Sequence, residues 1–462
     1  MTNHIFHPSI LRAYDIRGIV DETLSLADAW SIGISFATCL DKRGHKNHVV
    51  VGRDGRLSSM ALANALCEGL VAGGARVSNI GCGPTPMLYY ASISLKADGA
   101  IQVTGSHNPP THNGFKMIMN GDVFFGEDIQ ELGIISASGP KEKSGGSLNI
   151  TPIFKSYINR LVTGADTGHF NVIWDCGNGA SGPATIAATG ELSGTHTVLF
   201  GDIDGHFPNH HPNPVDPETL ATLRQSIAKS EADLGIAFDG DGDRIGIVDA
   251  KGRQVSGDLL TTFLAQDIAQ RHPGKPIILD VKSSDMAMDL IRAAGGKAQM
   301  WKTGHSYMKS RMKAIGAPLA GEMSGHVFIK DGFYGFDDAI YVGIRVLCQM
   351  AKTGLSITEF IDSLPPQHAT PELRIWCPDD EKFDVMAQVA NYASMKTSST
   401  NVTLIDGVRV RLDDGWWLLR ASNTEAALVA RAEGKTPAIL QRLVKDIESA
   451  LSAAGLKWTS PK

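Results

Sequence analysis

The chain alternates short apolar stretches with segments of helical periodicity, and this rhythm restricts its fold more than any other feature. Residues 27–40 and 60–72 have the apolar spacing of helices, and residues 47–52 form a buried strand pattern between them. Strands separated by helix-length segments indicate βαβ units and sheets that are parallel at least in part. We therefore predict an α/β protein whose ligands bind at the carboxyl ends of its strands. The rhythm returns in three later stretches, residues 171–175, 234–238 and 277–281.

The length of the chain and its local breaks predict several domains. At 462 residues it exceeds one hydrophobic core, and about 150 residues per domain suggests three or four domains. Residues 136–147 are rich in Gly and Ser, a helical pattern restarts at Asp258, and Pro365 with Pro366 cannot continue a helix. The domain limits that we predict are 1–148, 149–253, 254–366 and 367–462.

The last of these domains has a different pattern from the others. Residues 408–412 alternate strictly, residues 413–415 carry a turn signal, and residues 416–420 continue as a partner strand. An amphipathic helix is predicted over residues 438–453. The C-terminal domain is therefore expected to be α+β.

Composition excludes several classes of protein. Hydrophobic residues make up 43% of the chain and charged residues 20%, which is ordinary for a globular protein. The net charge of −6 argues against a nucleic-acid scaffold, and no apolar run approaches the roughly 18–20 residues of a membrane span. The six cysteines form no C-x-x-C pair, and the N-terminus has no secretory pattern. We expect a cytoplasmic protein without nucleic-acid or membrane partners.

Residues 104–109, Thr-Gly-Ser-His-Asn-Pro, present one hydroxyl on a tight turn. An alcohol is a weak nucleophile, so Ser106 needs either a base or a phosphate that is already attached. Gly105 and Pro109 favour the turn, and His107 and Asn108 are placed to orient the hydroxyl. The hexapeptide alone leaves open the alternative of a turn without a catalytic role.

Residues 239–244, Asp-Gly-Asp-Gly-Asp-Arg, place three carboxylates at alternate positions. On a curved loop Asp239, Asp241 and Asp243 can converge on one hard cation. A calcium loop of the EF-hand type requires Gly at its sixth position and Glu at its twelfth, where this chain has Arg244 and Ala250. The flanking segments are also strand-like, so the pattern favours a divalent metal site of another kind.

Three further groups of polar residues suit a phosphorylated sugar. Glu322 and Ser324, in residues 321–326, offer hydrogen bonds to sugar hydroxyls. Residues 420–425, Arg-Ala-Ser-Asn-Thr-Glu, combine a bidentate cation with short polar side chains ahead of a predicted helix, an arrangement that binds phosphate. Cations for a transferred phosphoryl group are available beside the two loops at Arg17, Lys116 and Arg244.

Together these motifs resemble the α-D-phosphohexomutase family, in its phosphomannomutase/phosphoglucomutase branch, from about Arg12 to the C-terminus. The resemblance implies four domains around a central cleft, of which the first three are related α/β domains with mixed sheets. It implies that Ser106 is a phosphoserine and that its phosphate, with Asp239, Asp241 and Asp243, holds one Mg²⁺. The implied substrate-binding residues are Tyr14, Lys282, His305, Glu322, Met323, Ser324, Gly325, Arg420, Ser422, Asn423 and Thr424, and the implied catalytic residues are Ser106, His107, Lys116, Arg17, Arg244 and His326.

The resemblance also implies a reaction. Phosphoserine gives its phosphoryl group to a hexose monophosphate, the glucose or mannose 1,6-bisphosphate turns around, and the serine recovers the other phosphate. Lys116 and His326 are candidates for proton transfer, and Lys116 would need a lowered pKa for that role. We expect the fourth domain to close over the cleft and exclude water.

Alternative functions remain open from the sequence. Met323 in Gly-Glu-Met-Ser-Gly indicates mannose or glucose substrates, whereas a phosphoglucosamine mutase typically has Gln there. A metal-dependent sugar phosphatase would need no distal phosphate site, and a non-catalytic sugar-phosphate sensor would need no serine with its metal. The expected partners are hexose phosphates, and the expected assembly is a monomer or weak dimer.

Overall fold

The computed structural model describes residues 3–423 and 425–458. Four sheets follow one another along the chain. The first region contains β1 (Ile16–Ile19), α1 (Leu26–Lys42), β2 (His48–Arg53), α2 (Ser59–Ala72), β3 (Arg76–Cys82), α3 (Thr85–Ser94), β4 (Gly99–Val103), β5 (His112–Met119), β6 (Asp122–Val123), α4 (Glu127–Ala137) and β7 (Ser147–Ile150).

The second and third regions have the same kinds of element. The second contains α5 (Phe154–Val162), β8 (Asn171–Asp175), α6 (Gly182–Thr189), β9 (Thr195–Leu199), α7 (Ala221–Ser230), β10 (Leu234–Phe238), β11 (Ile245–Asp249) and β12 (Gln254–Val255). The third contains α8 (Gly257–Arg271), β13 (Pro276–Asp280), α9 (Asp285–Ala293), β14 (Lys297–Trp301), α10 (His305–Ile315), β15 (Leu319–Gly321), β16 (Val327–Ile329), α11 (Ala339–Thr353) and α12 (Ile357–Asp362).

The fourth region is a mainly antiparallel sheet with two long helices. It contains β17 (His368–Ala369), β18 (Leu373–Trp376), α13 (Lys382–Lys396), a 3-10 turn (Ser399–Asn401), β19 (Val402–Thr403), β20 (Val408–Leu412), β21 (Gly415–Ala421), β22 (Ala427–Gly434) and α14 (Pro437–Ala453). The predicted hairpin is the antiparallel pair β20 and β21. The α/β fold class with a C-terminal α+β domain is confirmed.

One arrangement of strands is repeated in the first three sheets. The central strand, which is β2, β8 or β13, pairs in parallel with two neighbours. The later neighbour, which is β4, β10 or β15, then pairs with an antiparallel return strand. The loops that lead into these return strands cover residues 104–111, 239–244 and 322–326. The serine, aspartate and sugar motifs thus occupy the same position in three repeats, beyond the carboxyl end of a parallel strand.

Buried apolar side chains join the first three regions. One continuous core runs from Leu88 on α3 through Trp174 on β8 to Ile340 on α11. The fourth region has a separate core that includes Trp417 and Leu443. The first three regions therefore share one apolar core, the strands beside the serine loop contribute to a second core within the first region, and the fourth region is a distinct unit.

One predicted domain limit cuts through a short strand, and another separates a short strand from its sheet. β7 pairs with β3 of the first sheet and extends past residue 148, and β12 pairs with β11 of the second sheet past residue 253. The domain limits themselves stay a prediction. In the part of the chain that the structure describes, no helix is long and apolar enough to cross a membrane.

Candidate active site

Ser106 lies at the first turn beyond β4, with 1% of its surface exposed. Its backbone has a φ of 50°, in the left-handed region that residues other than glycine seldom adopt. The Ser106 hydroxyl donates to Oδ2 of Asp239 at 2.7 Å, and Nδ1 of His107 lies 3.1 Å from the same oxygen. The structure therefore places the predicted serine against the predicted metal loop, with His107 beside the hydroxyl.

The three aspartates of the second loop are buried and converge. Each offers a carboxylate oxygen, and these oxygens lie within 4.8 Å of one another. Among the described residues, none makes a hydrogen bond to Oδ1 of Asp241 or to Oδ1 of Asp243, although both atoms are buried. Such unsatisfied carboxylate oxygens are unusual in a protein interior and suit a hard divalent cation such as Mg²⁺.

Two residues of the first region contact the aspartate loop. The Thr85 hydroxyl donates to Oδ2 of Asp241 at 2.5 Å, at the start of α3. Nζ of Lys116, on β5, lies 2.7 Å from Asp241 and 2.5 Å from Asp243. The first repeat thus supplies both the serine and a cation that neutralises part of the aspartate loop.

Proton transfer by Lys116 would need a lowered pKa, and the carboxylates around Lys116 act in the opposite direction. Burial alone lowers the pKa of this ammonium, but the charges of Asp241, Asp243 and Asp239 outweigh burial and raise it above the usual lysine value. The position of Lys116 between carboxylates therefore does not favour it as a base, and its role in proton transfer stays a prediction.

Arg17 and Arg244 approach the serine loop from two sides. The Arg17 guanidinium donates to the side chains of Asp15 and Asn108, the latter in the serine loop itself. Nε of Arg244 donates to Nε2 of His326 at 3.0 Å. Both predicted cations therefore lie next to the loops that carry the serine and the aspartates.

His326 is held by a buried network. Its Nδ1 lies 2.8 Å from Oδ2 of Asp337, and Lys309 contacts the other oxygen of Asp337 at 2.9 Å. Since the carboxylate accepts from Nδ1, the ring lone pair lies on Nε2, where it accepts from Nε of Arg244. Asp337 and Lys309 were not predicted, because neither lies in a motif. His305 stacks on His326 with ring centroids 5.5 Å apart.

The sugar loop is anchored at both ends. Glu322 accepts from the backbone N–H of Gly304 at 3.1 Å and from the Ser324 hydroxyl at 3.1 Å. The Met323 N–H faces Asp280 at 3.4 Å. Gly325 has a φ of 90°, and a Cβ there would lie 2.4 Å from the carbonyl oxygen of Ile245 in the strand after the aspartates. The sugar and metal loops are thus in direct backbone contact.

The predicted phosphate loop lies where the first, third and fourth regions meet. Arg420 donates to Asp406 at 2.9 Å, and Asp406 accepts from the Thr303 N–H at 3.0 Å. The Tyr14 hydroxyl donates to the Thr303 carbonyl at 3.1 Å and accepts from the Asn423 amide. Because Tyr14 and Arg17 lie on one short segment, this segment links the phosphate loop to the serine loop.

The other residues that were predicted to bind the substrate phosphate lie on the same side, near the fourth region. Nζ of Lys282 lies 3.0 Å from Glu372 of the fourth region. The Ser422 hydroxyl accepts from the N–H of Glu425 at 3.1 Å. Thr424, which was also predicted to bind phosphate, lies outside the described residues.

A second pair of residues that the sequence did not predict, Asp54 and Arg56, forms hydrogen bonds with the serine loop. Asp54 accepts from the Thr104 hydroxyl at 2.8 Å and from the Gly105 N–H at 3.1 Å. Arg56 is buried beside it and donates to the Ser106 carbonyl at 2.8 Å. The one sequence signal was the position of Asp-Gly-Arg directly after β2, at a strand end where functional residues collect.

Family comparisons match all four regions. Four models described as phosphoglucomutase/phosphomannomutase match the chain: alpha/beta/alpha domain I at residues 8–138, domain II at 155–252, domain III at 256–368 and the C-terminal domain at 372–450.

Individual proteins match over nearly the whole chain. A phosphomannomutase/phosphoglucomutase of Pseudomonas putida is 43% identical over 440 residues, covering 95% of this chain and 94% of that protein. A phosphoglucomutase of Neisseria gonorrhoeae is 41% identical, covering 94% and 95%. The crystal structure of a phosphoglucomutase/phosphomannomutase family protein from Burkholderia thailandensis superposes with a TM-score of 0.91 at 39% identity, covering 98% of each chain.

Proposed function

Since the chain belongs to the phosphomannomutase/phosphoglucomutase branch of the α-D-phosphohexomutase family and is a phosphohexomutase, we propose that Ser106 is the residue that carries the phosphoryl group. The observation that carries this proposal is the 2.7 Å hydrogen bond from the Ser106 hydroxyl to Asp239, inside a buried triad of aspartates. A phosphate on this oxygen would share a divalent cation with the triad. The interconverted substrates are hexose 1-phosphates and hexose 6-phosphates.

Asp239, Asp241 and Asp243 are the residues that would hold Mg²⁺, together with the serine phosphate. Bound there, the cation offsets negative charge that develops on the serine oxygen as the phosphoryl group leaves. Lys116 lies against two of the same carboxylates, and Arg17 and Arg244 reach the adjoining loops. These cations stabilise the charge of the transferred phosphoryl group.

The transfer itself exchanges one phosphorus–oxygen bond for another. The free hydroxyl of the hexose monophosphate attacks phosphorus, the bond to Ser106 Oγ breaks, and a hexose 1,6-bisphosphate forms. His326 is the base that we assign to the hydroxyl proton, because Asp337 accepts from its Nδ1 and the lone pair lies on Nε2. That lone pair accepts from Nε of Arg244 in this structure, so the sugar hydroxyl would have to take the place of Arg244 at Nε2. After the bisphosphate turns around, the serine takes the other phosphate and the proton returns to the sugar oxygen.

Recognition of the sugar phosphate is assigned to two groups of residues. Glu322 and Ser324 face the sugar hydroxyls, and the Arg420 loop with Tyr14 and Lys282 holds the phosphate that is not transferred. We call this second group the phosphate clamp. Because it binds one phosphate while the other reacts, it has to accept both the 1-phosphate and the 6-phosphate of the bisphosphate. We expect activity on both mannose and glucose phosphates, since these contacts do not select the configuration at C2.

One chain supplies the serine, the aspartates and the phosphate clamp, so a monomer or weak dimer suffices for activity. A cytoplasmic location stays a prediction.

Intact mass and turnover test the assignment of Ser106. The purified enzyme should carry one phosphate, and Ser106→Ala should lose both the phosphate and the mutase activity. Ser31→Ala is the matched control, because Ser31 is equally buried but hydrogen-bonds to Ser136 on the far side of the first region. Retention of the phosphate and activity in Ser106→Ala would overturn the assignment.

Comparing mannose 1-phosphate, glucose 1-phosphate and glucosamine 1-phosphate as substrates tests the sugar assignment. We expect turnover of the first two. A clear preference for the amino sugar would contradict the assignment of mannose and glucose phosphates.

A further inference from the structure

Arg56 lies directly beneath the serine loop, and its side chain has no exposed surface. Its two terminal nitrogens donate to four backbone carbonyls, three of them in the loop between β4 and β5 and the fourth at the first residue of β5. The acceptors are the carbonyl oxygens of Ser106 at 2.8 Å, Asn108 at 2.5 Å, Pro109 at 2.6 Å and His112 at 3.0 Å. One guanidinium thus ties the loop together over seven residues.

The conformation of Ser106 needs such support. A φ of 50° is unfavourable at a residue with a Cβ and persists where surrounding contacts hold it. The Ser106 N–H donates to the Thr104 hydroxyl at 2.8 Å, and that hydroxyl donates to Asp54 at 2.8 Å. Arg56 holds the Ser106 carbonyl from the other side. The position of the hydroxyl is therefore fixed through both of its neighbouring peptide groups.

The surroundings of Arg56 exclude a role in binding substrate. The Phe207 ring of the second region covers the guanidinium, with Cζ 5.2 Å from the ring centroid. Gly105 covers another side, since a Cβ there would lie 2.5 Å from Nε of Arg56. A buried cation enclosed by an aromatic ring, the loop backbone and the Asp54 carboxylate, which lies 3.4 Å from its Nε, can act on the loop but not on a substrate.

The third repeat contains a carboxylate and a cation in positions that correspond to Asp54 and Arg56. Asp280 faces the Met323 N–H of the sugar loop, as Asp54 faces the Gly105 N–H of the serine loop. In both repeats a cation follows two residues after the carboxylate. Lys282 reaches the carboxylate of Glu372, whereas Arg56 turns to the backbone of its own repeat.

We propose that Arg56 is a positioning residue for the phosphoryl transfer, which sets the place of the Ser106 oxygen through the loop carbonyls. This inference rests on the proposed role of Ser106 as the phosphate carrier. Lysine cannot replace it, because a single ammonium nitrogen has three donors and cannot span four carbonyls. A displacement of the reacting oxygen by about 1 Å lowers the rate of a chemical step by about 100-fold.

Single-turnover kinetics on the full chain test the proposal. Wild type and Arg56→Lys are phosphorylated with glucose 1,6-bisphosphate, freed of ligand and mixed with mannose 1-phosphate in a rapid-quench instrument. We expect the transfer rate of Arg56→Lys to fall by about 100-fold, with an unchanged Kd for the sugar phosphate from the concentration dependence. Replacing a residue that only stabilises the fold would lower the melting temperature, without a selective loss of the transfer rate at unchanged Kd.

Arg345→Lys is the matched control. Arg345 is also largely buried and donates to a backbone carbonyl, that of Asp331 at 2.9 Å, but it lies in the third region away from the cleft. Its transfer rate should equal that of wild type. A wild-type transfer rate in Arg56→Lys, or a loss confined to Kd, would overturn the proposal.

A second variant covers the case in which Arg56→Lys does not fold. Thr104→Val keeps the side-chain size but removes the oxygen that accepts from the Ser106 N–H, so it should show the same loss of rate at unchanged Kd. A wild-type rate in Thr104→Val would count against positioning through the loop. Uptake of phosphate by Ser106→Ala would instead overturn the role of Ser106 itself, so the two failures are distinguishable.

Discussion

Replacing Asp239 with Asn removes one of the three buried carboxylates and keeps the size of the side chain. The carboxylate oxygens of Asp239, Asp241 and Asp243 lie within 4.8 Å of one another. Two like charges at that distance repel by about 3.5 kcal/mol at an effective dielectric constant of about 20. Lys116 offsets part of this repulsion, since it pairs with Asp241 and Asp243.

The magnitude of the expected change follows from these opposing terms. After the offset by Lys116, we expect Asp239→Asn to gain on the order of 1–2 kcal/mol in stability without metal. Wild type should gain about 2.7 kcal/mol from Mg²⁺ at 100 times its Kd, which the variant should lose. The order of stability therefore inverts: the variant melts higher in EDTA, and wild type melts higher in Mg²⁺.

Thermal unfolding in EDTA and in Mg²⁺ measures this inversion. Asp338→Asn is the matched control, because Asp338 is also a buried carboxylate but caps α11 and accepts from the Tyr157 hydroxyl at 2.9 Å, outside the metal loop. Its Mg²⁺-dependent shift in Tm should equal that of wild type. An undiminished Mg²⁺ shift in Asp239→Asn would refute the assignment of this residue as a metal ligand.

Three further outcomes are expected. Gly325→Ala should lower the free energy of unfolding by about 1–3 kcal/mol and raise KM, because its Cβ would lie 2.4 Å from the carbonyl oxygen of Ile245. Gly332→Ala is the control for backbone strain alone, since Gly332 has a φ of 68° and open space around its Cβ, and an equal loss of stability in both variants would contradict the clash. Tyr14→Phe should raise KM for hexose phosphates by about 10-fold with little change in kcat, since it removes one hydrogen-bonding hydroxyl from the phosphate clamp; steady-state kinetics would contradict this by showing a loss in kcat alone. Burial raises the pKa of Asp338 to about 7, above its unfolded value, so the stability that its protonated form contributes is lost as the pH rises from about 4 to 7. The Tm of Asp338→Asn should therefore exceed that of wild type by more at pH 8 than at pH 5, and a difference in Tm that does not depend on pH would contradict the raised pKa.

Much of the fold could be read from the sequence because its signals are local. The predicted helix at residues 27–40 corresponds to α1, whose N-terminus is set by Ser25 and Asp28 in a capping box. The hairpin at β20 and β21 followed from strict alternation and a turn. By contrast, β7 joins the first sheet only through pairing with β3, so the polar stretch before it resembled a domain boundary.

The site was predictable where one motif carries the chemistry and unpredictable where distant residues combine. Ser106 and Asp239 each lie in a distinctive string, and the structure brings them into contact. Lys309 and Arg56 lie outside the motifs that predicted the site, and their contacts appear only when Asp337 and the serine loop are folded against them. The pKa of Lys116 likewise depends on contacts between distant residues, since the carboxylates that raise it come from the second region.

Transfer of a radiolabelled phosphoryl group from the protein to the sugar tests the central assignment most directly. The enzyme is labelled with glucose 1,6-bisphosphate, freed of ligand and mixed with unlabelled mannose 1-phosphate for a single turnover. We predict that the label leaves Ser106 and appears at C6 of the sugar, while Ser106→Ala takes up no label. Label that stays on the protein during normal isomerisation, or that is released as inorganic phosphate, would contradict it.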